Sequence, residues 1–94
     1  MLVVRNCFVC KPGNASKLAA QLKEAAEFAA IPSHRVLTDL TGDFNRVILE
    51  YEAENLGAFE AWLREYKTNS AFREKLKGHT ELWTTGSREI LEIA

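Results

Sequence analysis

Few residues in this chain could carry a metal site or a nucleophile. Its 94 residues include only two cysteines and two histidines. Cys7 and Cys10 form a lone C-x-x-C inside a segment that reads as a strand. Residues three apart on a strand lie roughly 10 Å apart on opposite faces, whereas a disulfide needs Cα atoms within about 7 Å. A zinc site would need two further ligands, and His34 and His79 are the only imidazoles. Both cysteines therefore read as structural thiols, and no metal is expected. No Ser/His/Asp or Cys/His spacing marks a nucleophile, and no Gly-rich loop marks a phosphate site.

Charge of one sign does not accumulate either. Twelve basic residues are interspersed with thirteen acidic ones, for a formal net charge of −1 and no Lys/Arg run. Nucleic acid and an anionic membrane surface are thus not expected as partners, because both require a basic patch. No apolar run approaches the roughly 20 residues of a membrane span. The apolar start, Met1 to Val4, is broken by Arg5 and Asn6 and has neither a basic leader nor a small-residue cleavage site. The expected location is cytoplasmic.

What is present is alternation and helical spacing in a regular order. Leu2–Cys10, rich in Val, Phe and Cys, reads as a strand that Lys11-Pro12-Gly13 breaks. Asn14 is placed to cap a helix running to about Ala30, with Leu18, Leu22, Ala25, Ala26 and Ala29 on one stripe and Pro32 as its stop. His34–Thr41 and Arg46–Ala53 read as strands joined by the turn Thr41-Gly42-Asp43, hence an antiparallel hairpin. Asn55 can cap a second helix whose stripe is Leu56, Phe59, Trp62, Leu63 and Tyr66. Ser70 can cap a short third helix, and Gly78 is a plausible C-terminal cap. Thr80–Ile93 is a last strand region in which Gly86-Ser87 suggests a bulge.

Strand, helix, strand, strand, helix, strand is the split-βαβ order. It predicts one α+β domain over residues 1–94, with a ferredoxin-like, four-stranded antiparallel sheet and helices on one face. The other face carries Val3, Arg5, Cys7, Val9 and Ile48. That mixture is too apolar to leave bare, so a homodimer that covers it is expected.

Four stretches resemble a known superfamily: Asn6 with Lys11–Asn14; Val36–Gly42; Phe59–Leu63 before Ser70-Ala71-Phe72; and the ending Gly86–Ile93. They are similar to the dimeric α/β barrel proteins, close to the antibiotic biosynthesis monooxygenase and NIPSNAP-like members. The resemblance implies a dimeric α/β barrel with a ligand cavity between sheet and helices in each protomer. Some members are cofactor-independent oxygenases acting on polycyclic aromatic substrates. Others degrade haem with an Asn on the first strand, a Trp on the second helix and a His on the following helical turn. Asn6 and Trp62 match the first two, but the position four after Phe72 is Leu76, and His79 lies beyond it. No cofactor is therefore expected, and a small aromatic ligand is.

Within that frame Asn6 and Trp62 are the candidate catalytic residues, with Tyr51 and His34 as candidate ligand contacts. Asn6 shares the helix-facing side of its strand with Val4 and Phe8, and a buried amide must find partners. It reads either as a core Asn bonded to backbone or as an amide aimed into a cavity. Trp62 reads as core packing or as a cavity wall. Trp83 reads as core or dimer interface, and Tyr51 as half-buried with its hydroxyl at the sheet edge or a pocket mouth. His34 and His79 read as a strand-start and a loop residue, and either could exchange protons near neutral pH if it lined the cavity. Glu50 and Glu52 form a solvated or lumen-facing stripe. Two functions stay open: an oxygenase or isomerase for an aromatic or polyketide-like molecule, and a non-catalytic dimeric binding or assembly module.

Overall fold

Alternation along the first strand sets the layers. The computed structural model describes residues 1–94. It contains β1 (Leu2–Cys10), α1 (Ala15–Phe28), β2 (Arg35–Thr38), β3 (Arg46–Ala53), α2 (Leu56–Thr68), α3 (Ser70–Lys75) and β4 (Trp83–Glu92), with a 3-10 turn at His79–Glu81. The sheet order is β2-β3-β1-β4 and every pairing is antiparallel. This is the ferredoxin-like α+β fold that the element order implies.

Register places the inner, helix-covered face. Val4 lies between Tyr51 and Ile90, Asn6 between Leu49 and Arg88, and Phe8 between Val47 and Gly86. The core on this face is divided. Val4, Ala26, Ile31, Tyr51, Ala53 and Phe59 form one cluster. Cys10, Leu18, Leu22 and Val47 form the other. Leu49 is half-buried and packs against both.

The outer face has no covering layer, and only 11 of 94 residues are buried in the single chain. Cys7, opposite Ile48, belongs to this face, whereas Cys10 is buried in the core. Glu50 is held there by Arg5 at 3.2 Å and Arg35 at 2.6 Å. Leu91 and Ile93 remain exposed, and β4, an edge strand, is exposed along Thr84–Glu92.

Several local expectations are corrected. The second strand is shorter than His34–Thr41, because Asp39 turns its carboxylate onto Arg46, accepting from its backbone N–H at 3.1 Å and its guanidinium at 2.9 Å. These bonds, with the adjacent charge, hold the Asp39 carboxyl below its usual range. The Asn14 side chain makes no capping bond; its carbonyl accepts from the Leu18 N–H instead. The third helix is capped by Asn69, whose Oδ1 accepts from the Phe72 N–H at 3.0 Å, and not by Ser70. Asn55 caps α2 as expected, accepting from the Ala58 N–H at 2.8 Å.

The first helix ends at Phe28, short of Ala30. Ala30 adopts φ +52°, its N–H bonds to Glu27, and the next N–H, of Ile31, bonds to Ala26. That pair of bonds is the Schellman arrangement, here with alanine at the left-handed position glycine usually takes. The bulge expected at Gly86-Ser87 lies instead between Val9 and Cys10, opposite Thr85 and Trp83. Gly86 pairs in register with Phe8. A Cβ there would come within 3.1 Å of the Cys7 carbonyl, so the glycine permits the close approach of the β1 backbone.

Candidate functional site

Gln21 on α1 fixes the roof of the site. Its side-chain amide donates to the carbonyls of Lys75 at 3.0 Å, the last residue of α3, and of Lys77 at 2.9 Å, just beyond it. Lys75 adds an ion pair to Glu24 at 2.9 Å. Gly78, at φ +79°, then turns the chain back into the 3-10 turn and β4. These contacts hold α3 above the gap between the two core clusters. The gap is a cavity of about 880 Å³, open to solvent along one side and lined by residues from all three helices, β1, β3 and β4.

Aromatic rings form its walls. Phe8 and Trp83 pack 5.3 Å apart at one end. Tyr66 stacks on Phe72 at 4.6 Å toward the other. Rings of this kind offer flat apolar surfaces to a planar ligand.

Polar groups converge on the sheet side. Arg88 Nε donates to Asn6 Oδ1 at 2.7 Å, the cross-strand contact that the β1–β4 register dictates. The guanidinium also lies 5.3 Å over the Phe59 ring. Tyr51 is 6% exposed. Burial raises its phenol above 10.0, and the neighbouring Asn6 amide and the charge of Arg88 only partly offset this, so the hydroxyl keeps its proton at neutral pH. Tyr66 is raised likewise, by burial and then by the charges of Glu65 and Tyr51.

His79 and Trp83 both line the cavity. Trp83 donates its indole N–H to His79 Nδ1 at 3.2 Å. Burial lowers the imidazole below its ordinary 6.5. The ring is therefore neutral at pH 7, with its proton on Nε2. That tautomer is unsuited to an iron ligand: freeing Nε2 would move the proton to Nδ1, where the indole N–H already points. Leu76 also lines the cavity. The residues present do not fit a histidine-ligated haem.

Of the residues singled out in the sequence, Asn6 and Tyr51 come together on the cavity wall. Trp62 stands one layer back, 5.9 Å from the Tyr51 ring and 6.4 Å from the Tyr66 ring, and does not line the space. His34 lies outside the cavity, its Nδ1 2.7 Å from the Ile31 carbonyl in the turn after α1. Sequence reasoning missed Arg88, because its relation to Asn6 depends on a register between strands 82 residues apart. It also missed the His79–Trp83 pair, for which the four-residue spacing was the available signal.

No protein-family model and no curated protein matches this chain. Solved structures do match in fold. An uncharacterised NIPSNAP domain protein from Burkholderia xenovorans superposes with a TM-score of 0.85 at 12% identity, over 100% of this chain and 95% of that one. A NIPSNAP family protein from Agrobacterium tumefaciens gives 0.84 at 11% identity, over 99% and 92%. A candidate antibiotic biosynthesis monooxygenase from Deinococcus radiodurans gives 0.73 at 16% identity, over 100% and 93%. The chain shares the fold of NIPSNAP and antibiotic biosynthesis monooxygenase-like proteins.

Proposed function

We propose that this chain forms a homodimer through the outer face of its sheet, and that the cavity in each protomer binds a flat aromatic or polyketide-like molecule and supports its cofactor-independent oxygenation. The observation that carries the binding reading is the 880 Å³ aromatic-walled cavity with Asn6, Arg88 and Tyr51 on one side. An oxygenation of this kind draws its electrons from the substrate. A hydroxyarene C–H becomes a quinone C=O, one oxygen atom of O2 enters the ring, and the other leaves as water. The chain would contribute apolar walls that shield one face of the substrate and donors that hold the substrate oxygen as it gains negative charge.

Two features support the dimer. Val3, Val9, Leu91 and Ile93 make the uncovered sheet face partly apolar. A long exposed edge strand such as β4 also invites covering. Sedimentation at micromolar concentration is expected to give twice the 10.6 kDa chain mass; a monomer there would count against this assembly.

One observation favours binding without turnover: no side chain in the cavity is set up as a base. Tyr51 is protonated, and the Nδ1 lone pair of His79 is occupied by Trp83. An oxygen electrode separates the readings. With a polycyclic hydroxyarene such as dithranol, an oxygenase consumes O2 faster than buffer and slows on Asn6→Ala. Saturable binding without added O2 uptake would leave the module reading.

A further inference from the structure

The cavity's polar groups are biased toward one ligand charge. No Asp or Glu lines it, whereas Lys67, Arg73 and Arg88 do, in a chain of net charge −1. Those three cations are also unpaired. The chain's ion pairs use Arg5, Arg35, Arg46 and Lys75. Arg88 has a neutral partner, the Asn6 oxygen, and an aromatic ring beneath it.

The hydrogen-bond directions agree with the charges. The Asn6 oxygen is taken by Arg88 Nε. The terminal guanidinium nitrogens of Arg88 keep their hydrogens free of protein acceptors. His79 accepts at Nδ1 from Trp83 and so presents only an N–H at Nε2. Among the lining residues Lys67, Arg73 and Arg88 can only donate and no carboxylate faces them, and an anionic oxygen group is the complement to such a set.

We infer that the cavity selects an organic anion: a flat, largely apolar molecule whose one charged oxygen group lies against Arg88 and Asn6, with Lys67 and Arg73 drawing it in. This deepens the binding reading above and rests on it. The aromatic walls take the body of the molecule, and the unpaired cations set its charge.

Two fluorescent probes with the same ring body test the inference: 1-anilinonaphthalene-8-sulfonate and N-phenyl-1-naphthylamine, which lacks the sulfonate. The anionic probe is expected to bind at least about tenfold more tightly. Arg88→Met keeps an apolar stem over Phe59; it should weaken the sulfonate about tenfold and leave the neutral probe within about twofold. The double variant Lys67→Gln, Arg73→Gln lies on exposed helix surface and tests the same charge preference should Arg88→Met fail to fold. It should weaken the sulfonate about threefold and spare the neutral probe. Leu63→Trp, which puts an indole into the cavity wall, should weaken binding of both. Equal affinity for the two probes, or a loss on Arg88→Met shared by both, overturns the charge selection and leaves the cavity as a binding site. Failure of both probes to bind overturns the binding reading as well.

Discussion

Trp83 donates its indole N–H to Nδ1 of His79 across 3.2 Å, and the bond couples a titratable ring to a wall of the cavity. Burial holds the imidazole below 6.5 in the folded chain. The unfolded chain therefore takes up a proton as pH falls below 6.5, while the folded chain does so only at lower pH. Stability is full above the unfolded value and is lost as pH falls toward and through the folded one. Denaturant melts between pH 8 and pH 5 should show the loss. His79→Gln, which can still accept from Trp83, should flatten this part of the profile; an unchanged slope would count against His79 as its source.

Haemin offers a second use of the same pair. The bound tautomer leaves no lone pair at Nε2, so His79 should not take up iron. A haemin titration should give the same Soret spectrum for the native chain and for His79→Ala. A sharp shift lost in the variant would show that the Trp83 bond yields to the metal.

Gln21 bonds two carbonyls at the end of α3 from a helix more than fifty residues away in sequence. Gln21→Leu keeps a similar volume but leaves both carbonyls without this donor. The expected cost is about 1–2 kcal/mol, since each such bond contributes roughly 1 kcal/mol net. Faster amide exchange in Ser70–Leu76 than elsewhere would confirm that Gln21 holds this segment down.

Ala30 offers the opposite sign. Its φ of +52° strains an alanine and suits a glycine. Ala30→Gly should raise stability by about 0.5–1 kcal/mol, less the added flexibility of the unfolded chain. Thermal melts of the pair measure it, and a destabilised variant would show that the Ala30 methyl makes packing that outweighs the strain.

Much of the fold was legible because it depends on local pattern. Apolar alternation located β1 and β3, with β3 ending at the expected residues. Helical spacing located α1 and α2. Turn chemistry was less readable: Asp39 ends β2 through a side chain seven residues from its partner, and Asn69 displaces Ser70 as a cap by one position. In the cavity, strand parity put Asn6 and Tyr51 on one face. Helical phase placed Trp62 on the apolar stripe, but could not say that Tyr51 and Tyr66 would stand between it and the space. Arg88 was hidden because only the paired sheet sets it beside Asn6.

The divided core has a consequence for cooperativity. Two apolar clusters share β1, α1 and β3 and the side chain of Leu49, and the space between them is the cavity. A molecule seated there would touch both sides and act as a keystone, making the halves melt as one. Filling it at a hundred times the dissociation constant would add about 2.7 kcal/mol to global stability. Hydrogen exchange should show the same change: amides of α2 around Phe59 and of α1 around Leu18 should exchange more slowly when the space is full.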